Sequence, residues 1–150
     1  RTDRQPDTTL CISHRRRIEV NRTLNEANKP QGAIRIEVTT KHQVDNNAPQ
    51  TMWLWPGLRL IGAGHKVPKG IFVEVSACDN EKVTLDNDLV LTHAAVCSSL
   101  RLSYAITYAS CQGLTLKGRV RLETQSTFLT TRHLYVGISR GTASELVEVV

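Results

Sequence analysis

No stretch of this chain approaches the roughly 20 consecutive apolar residues that a membrane-spanning helix needs. Its first residues, Arg1-Thr2-Asp3-Arg4-Gln5-Pro6-Asp7, lack the charged-then-apolar layout of a signal peptide. A soluble, intracellular chain with no membrane partner is expected. The cysteines Cys11, Cys78, Cys97 and Cys111 form no C-x-x-C and no paired Cys/His spacing, which argues against a zinc site. Leu10-Cys11-Ile12 and Val96-Cys97 read instead as core positions, where a reduced thiol acts as a small hydrophobe. Asn21-Arg22-Thr23 matches the glycosylation sequon, which has no consequence inside a cell. Internal repeats and low-complexity tracts are absent, and 150 residues suit one domain carrying at most a small insertion. The chain begins with Arg rather than Met, as expected of a piece of something longer.

Several catalytic patterns are also missing. Gly57-Leu58-Arg59-Leu60-Ile61-Gly62 has the spacing of half a phosphate loop. Ala63-Gly64 follows, however, where a Lys and a Ser or Thr would reach the phosphates and Mg²⁺. These glycines read as turn residues. Asp86-Asn87-Asp88 lacks the distal Glu and the invariant Gly of a calcium loop and reads as a solvated turn. Ser139 has no flanking glycine elbow and the five His are scattered, so an autonomous hydrolase is not expected.

What is present begins with charge. Residues 1–22 hold six Lys/Arg and three Asp/Glu, residues 23–100 hold seven and eight, and residues 101–150 hold six and three. The two ends are basic and the middle is not. A basic surface attracts polyanions by counterion release, so nucleic acid or nucleotide is a reasonable partner class, beside the plainer reading of a basic protein with none.

Thr8-Thr9-Leu10-Cys11-Ile12 predicts a strand. Ser13 then offers an N-cap to a helix whose apolar positions are Ile18, Leu24 and Ala27 and which Lys29-Pro30 stops. Ile34 to Val38 alternates as a half-exposed strand, and Lys41 to Gln50 is a polar loop. Leu58–Ile61, Ile71–Val75 and Lys82–Leu85, with turn chemistry between them, predict a small antiparallel barrel or meander. Thr92 can cap a helix running to Leu100. Tyr104–Thr107, Arg119–Glu123 and Glu145–Val150 read as strands, and His133–Arg140 as a helix. Strands alternating with helices imply a parallel α/β sheet formed by the two ends, with the middle inserted.

Two segments stand out, Ala105-Ile106-Thr107-Tyr108-Ala109-Ser110-Cys111-Gln112-Gly113-Leu114-Thr115 and Tyr135-Val136-Gly137-Ile138-Ser139-Arg140. The first sets hydroxyls, an amide and a glycine just past a buried strand, where α/β sheets bind ligands. In the second, Arg140 either complements a helix C-terminus or reaches an anionic ligand across a domain interface. Trp53 and Trp55, two apart, share a face and either stack bases or cover a core. Arg15-Arg16-Arg17 at a helix start either meets phosphates or forms a solvated face. The same alternatives hold for Arg101, Lys117 and Arg119.

The two segments resemble motifs V and VI of superfamily 1 DNA helicases, in the RecD-like, 5′-to-3′ branch. Its members read approximately A-x-T-x-H-K-S-Q-G-x-T and Y-V-A-x-S-R. Thr107, Gln112, Gly113 and Thr115 match the first, and Tyr135, Val136, Ser139 and Arg140 the second. Leu10 to Asn21, with Ser13-His14 and Asn21, resembles a strand and helix of the same second motor domain, and Trp53 to Leu85 resembles the small barrel inserted before motif V. The resemblance implies a partial RecA-like parallel sheet with helices at 1–50 and 92–150, interrupted by a small antiparallel β-barrel insertion at 51–91. It makes Arg140 the catalytic arginine finger on the γ-phosphate. It has Gln112 and Gly113 bind nucleotide beside Arg140, and Thr107, Ser110 and Thr115 contact single-stranded DNA. ATP and Mg²⁺ would be held mainly by an N-terminal RecA-like domain of the same parent chain.

Departures from the family pattern are local. Ala109-Ser110 stands where the family has His-Lys, Cys111 where it has Ser, and Gly137 where it has Ala. The Walker loop, the acidic Mg²⁺ motif and the arginine motif are absent from this chain, so it is not expected to hydrolyse ATP alone. The alternative is a non-catalytic nucleic-acid-binding or protein-docking module that kept the fold, or simply a soluble α/β domain.

Overall fold

The computed structural model describes residues 7–38, 48–111, 114, 116, 120–123 and 147–149. In chain order the elements are β1 (Thr8–Cys11), α1 (His14–Asn28), β2 (Ile34–Ile36), β3 (Met52–Leu54), β4 (Arg59–Gly62), β5 (Phe72–Cys78), β6 (Lys82–Leu85), β7 (Val90–Thr92), α2 (His93–Ser99), β8 (Leu100–Leu102), β9 (Ala105–Thr107), a 3₁₀ turn (Ala109–Cys111), β10 (Val120–Leu122) and β11 (Val147–Val149). No helix among them is long and apolar enough to cross a membrane.

All four residues of β1 are buried, the pattern of a strand covered on both faces. β1 lies inside a parallel sheet of order β11-β10-β1-β9, with Leu10 opposite Ile106 on one side and Leu122 on the other. Between β1 and β9 the chain makes α1, the hairpin-like pair β2-β3, and a five-stranded antiparallel sheet of order β7-β6-β5-β4-β8. The fold is therefore α/β, a partial parallel sheet of RecA type interrupted by a curled antiparallel half-barrel. The three strands expected between Leu58 and Leu85 are present, and the edge strands β7 and β8 are additional. The expected helix at His133–Arg140 lies outside the described residues.

Helix α1 starts where the sequence places it. The Ser13 Oγ accepts the Arg16 N–H at 3.2 Å, and Lys29 ends the helix in extended conformation before Pro30. Thr92 likewise caps α2 through the Ala95 N–H at 3.2 Å. The buried face of α1, however, is not Ile18, Leu24 and Ala27 but Arg17, Asn21 and Asn25. The helix lies where strands begin and end, so backbone polar groups rather than side chains face it, and those groups need amide partners.

Two cores result. One fills the half-barrel with Leu54, Leu58, Leu60, Val73, Val75, Val83, Leu85 and Leu100 among others. The other lies on the parallel sheet around Leu10, Ile106, Tyr108, Leu116, Val120 and Leu122. Strand alternation divides β4 between them, since Leu60 faces the first and Ile61 the second. Gly62 ends β4 under the following loop, where a Cβ would meet the Pro68 carbonyl oxygen at 2.0 Å. Gly57 and Gly64, at φ +98° and +107°, are turn residues as their spacing suggested.

Candidate functional site

The C-terminal ends of β1 and β9 lie side by side, with Cys11 opposite Thr107. Past β9 the buried Tyr108 is anchored twice. Its N–H donates to the Cys11 carbonyl at 3.0 Å and its hydroxyl to the Glu123 carbonyl at 3.0 Å. The chain then turns outward, leaving Ala109 and Ser110 exposed. Thr107 closes this turn. Its hydroxyl donates to Ser110 Oγ at 2.8 Å and accepts the Ser110 N–H at 3.2 Å. The structure therefore brings the expected Thr107 and Ser110 together and presents a serine hydroxyl on a short, internally fixed turn at the sheet edge. Such hydroxyls and backbone N–H groups suit phosphate oxygens, which they position without reading a base. Gln112, Gly113, Thr115 and Arg140 lie outside the described residues, as do Lys117 and Arg119.

Beside this turn stands the start of α1. Arg16 forks onto the Glu123 carboxylate, with Nε at 3.0 Å and Nη2 at 2.9 Å, and its Nη1 meets Glu19 at 2.9 Å. Arg17 is 2% exposed; its Nε donates to His14 Nδ1 and its Nη2 to the Ala48 carbonyl, both at 3.0 Å. Burial pulls its pKa down to about 10, helped by Arg101. Of the Arg15-Arg16-Arg17 run, Arg15 and Arg16 are exposed, Arg16 with its charge paired to Glu19 and Glu123, so the solvated reading holds for them and fails only for Arg17. It fails for Arg101 too, which is buried and donates to the carbonyls of Cys97 and Leu100 at 2.7 and 2.8 Å, closing the end of α2. Cys11 is fully buried, and burial with the neighbouring Glu123 pushes its thiol far up, so it is no nucleophile. Cys78 and Cys97 are likewise free thiols. Among the described residues no group of three His, Cys, Asp or Glu side chains could hold a metal ion.

Trp53 and Trp55 serve the structure. Lys29 Nζ covers the Trp53 ring at 4.0 Å from its centre, and Trp55 packs on the barrel core. The sequence reading named Asn21 only as part of the family resemblance, without a role, and passed over Asn25; both are buried amides that hold strand backbone. The Asn21 amide accepts the Ala105 N–H at 2.8 Å and donates to the carbonyls of Ala105 and Leu102 at 2.9 and 3.3 Å. Asn25 does the same for Trp53, accepting at 2.7 Å and donating at 2.9 Å. Their signal was visible as a stripe with Arg17 at i, i+4 and i+8 on one helix face.

No protein-family model matches the chain, and no curated protein matches it in sequence. Solved structures do. It superposes on a structure of two coordinating Pif1 helicases in DNA unwinding at forked dsDNA with a TM-score of 0.66 and 19% identity, over 94% of this chain and 38% of that one. Pif1 helicase from Bacteroides in complex with ADP-AlF3 and ssDNA gives 0.62 at 16% identity, over 99% and 41%. Pif1 helicase from Candida albicans gives 0.61 at 14% identity, over 99% and 45%. The chain thus has the fold of part of a helicase and spans less than half the length of each of these structures.

Proposed function

We propose that this chain is the C-terminal part of an ATP-dependent DNA helicase of the RecD-like, 5′-to-3′ branch of superfamily 1. In this reading residues 1–50 and 92–150 form part of the second RecA-like motor domain and 51–91 its inserted barrel. The observation that carries it is a helicase fold extending over more than nine-tenths of the chain, with Thr107 and Ser110 joined at the edge where such a sheet receives ligands. Thr107, Ser110 and Thr115 hold phosphates of single-stranded DNA, and Gln112 and Gly113 link that strand to the nucleotide. Arg140 is the arginine finger. ATP with Mg²⁺, held by an N-terminal motor domain of the same parent chain, supplies the phosphoryl-transfer chemistry. Arg140 stabilises charge on the transferred group, a contribution worth about 10³ to 10⁵ in rate in such enzymes. Free thiols at Cys11, Cys78 and Cys97 fit an intracellular setting.

A second reading is a non-catalytic nucleic-acid-binding or docking module. The exposed Ala109-Ser110 favours it, because the turn offers a hydroxyl where the family pattern places cations.

The test is ATP turnover stimulated by oligo-dT in the full-length protein. Arg140→Ala should abolish turnover and leave ATP binding largely intact, whereas near-normal turnover removes the finger assignment. This chain alone should bind oligo-dT weakly, with strong salt dependence, and turn over no ATP. Turnover by the chain alone contradicts the reading, and binding without any turnover in the full-length protein favours the module.

A further inference from the structure

The inserted half-barrel approaches the Thr107–Ser110 turn through one loop, between β4 and β5. Its base is closed by the Gly62 N–H on the Ile71 carbonyl at 2.8 Å and the Gly70 N–H on the Gly62 carbonyl at 3.1 Å. Its tip is pinned to the end of α2, since the Ala63 N–H donates to the Ser99 carbonyl at 2.7 Å and the Lys66 N–H to Ser99 Oγ at 3.2 Å. Val67 points inward and is 1% exposed. Gly70, at φ +82°, lies against Leu114, whose Cδ2 would be only 2.8 Å from a Cβ there. Leu114 follows the 3₁₀ turn that carries Ser110. The loop is therefore a fixed neighbour of the candidate site, and it leaves His65, Lys66 and Lys69 exposed. None of the ion pairs among the described residues involves them.

Charge in the sequence is segregated in the same way. From Asn46 to Val73, which includes this loop, there is no Asp or Glu, and none from Leu89 to Leu122, which includes the turn. The two stretches carry seven Lys/Arg, leaving twelve Lys/Arg and all fourteen Asp/Glu to the rest of the chain. The stretches meet at Gly70–Leu114 and at the shared core of Ile61 and Phe72 with Ile106 and Leu116. Beside the turn the carboxylate of Glu123 is forked by Arg16, so it offsets little of the attraction that the exposed Lys66 and Lys69 offer a polyanion.

We propose that the β4–β5 loop, through Lys66 and Lys69, is a contact for the phosphate backbone of single-stranded nucleic acid passing the Thr107–Ser110 turn. It supplies the positive charge that Ala109-Ser110 does not. The inference rests on the single-strand reading above and adds a second place where the strand is held. Lysines suit this role because a point charge tolerates a mobile backbone and reads no base.

The test measures fluorescence-anisotropy binding of labelled oligo-dT to the chain across a salt series, for the parent sequence, K66Q/K69Q, and a control R35Q/K82Q. The control removes the same charge from residues that lie near Glu37 and Asp79. Each lost phosphate contact lowers the single-strand slope of log K against log salt by about 0.7, so K66Q/K69Q should be shallower by about 1.4. Equivalently, its affinity loss between about 50 and 200 mM salt should be about 7-fold smaller than the parent's. The control should keep the parent slope. If K66Q/K69Q and the control behave alike while the parent binds, the loop contact is wrong and the single-strand reading stands. If the parent does not bind oligo-dT, both fall.

Discussion

His14 Nδ1 accepts the Nε–H of the buried Arg17, a role that only the neutral ring can fill. Burial first, then the cations Arg17 and Arg101, hold its pKa below the ordinary 6.5. An unfolded His takes up its proton near 6.5 and this one only at lower pH, so in between the unfolded state binds more protons and stability rises with pH. The contribution is complete above about pH 6.5 and is lost as pH falls through the folded value. Urea midpoints should therefore be lower at about pH 5.5 than at about pH 7.5, and His14→Gln should flatten that difference. An unchanged pH slope in the variant would show that His14 is not the group responsible. Asp79 acts outside this pH window. Backbone N–H groups of Glu81 and Lys82 lower its pKa from 3.8, so its stabilising effect is lost only in more acidic solution.

At the level of elements, α1 is joined to two different strands by two side-chain amides. Asn21 satisfies β9, which ends at Thr107, and Asn25 satisfies β3, which leads towards the half-barrel. Asn21→Ala leaves the buried Ala105 N–H and its carbonyl neighbours without partners, at about 1–3 kcal/mol for each group that water does not reach. A urea titration of the chain should show that loss. A variant as stable as the parent would mean that β9 finds other partners and that the amide is dispensable. This face also shows why part of the fold was legible and part was not. Ser13, Thr92 and the short strands from Leu58 to Leu85 follow rules written within a few residues, and the structure bears them out. The pairing of Thr107 with Ser110 is equally local. The polar stripe of α1, the burial of Arg101 and the fork of Arg16 on Glu123, 107 residues away, depend on which strand end lies against which helix. Hydrophobic periodicity cannot report a helix face whose partners are backbone amides.

Over the whole molecule, the inserted sheet shares its structure with the parallel one. Ile61 and Phe72, opposite each other on β4 and β5, pack with the core of β1, β9 and β10 while their neighbours Leu60 and Val73 fill the half-barrel. Arg59 reinforces the join. Its Nη2 donates to Thr8 Oγ1 on β1 at 3.1 Å, and its guanidinium lies over the Phe72 ring at 4.4 Å. A half-barrel fused in this way should not melt separately, so the chain is expected to unfold in one cooperative step. Trp55 packs against the half-barrel core, so fluorescence of a Trp53→Phe background reports its unfolding, and far-UV circular dichroism reports the chain as a whole. The two midpoints in urea should coincide for the parent. Ile61→Ser places a hydroxyl in the shared core and removes its methyl groups, so the fluorescence transition should separate from the dichroism transition. Separate transitions in the parent would mean that the half-barrel moves as an independent body. Its loop would then not hold a fixed place beside the Thr107–Ser110 turn, and the geometry behind a joint phosphate surface would be lost.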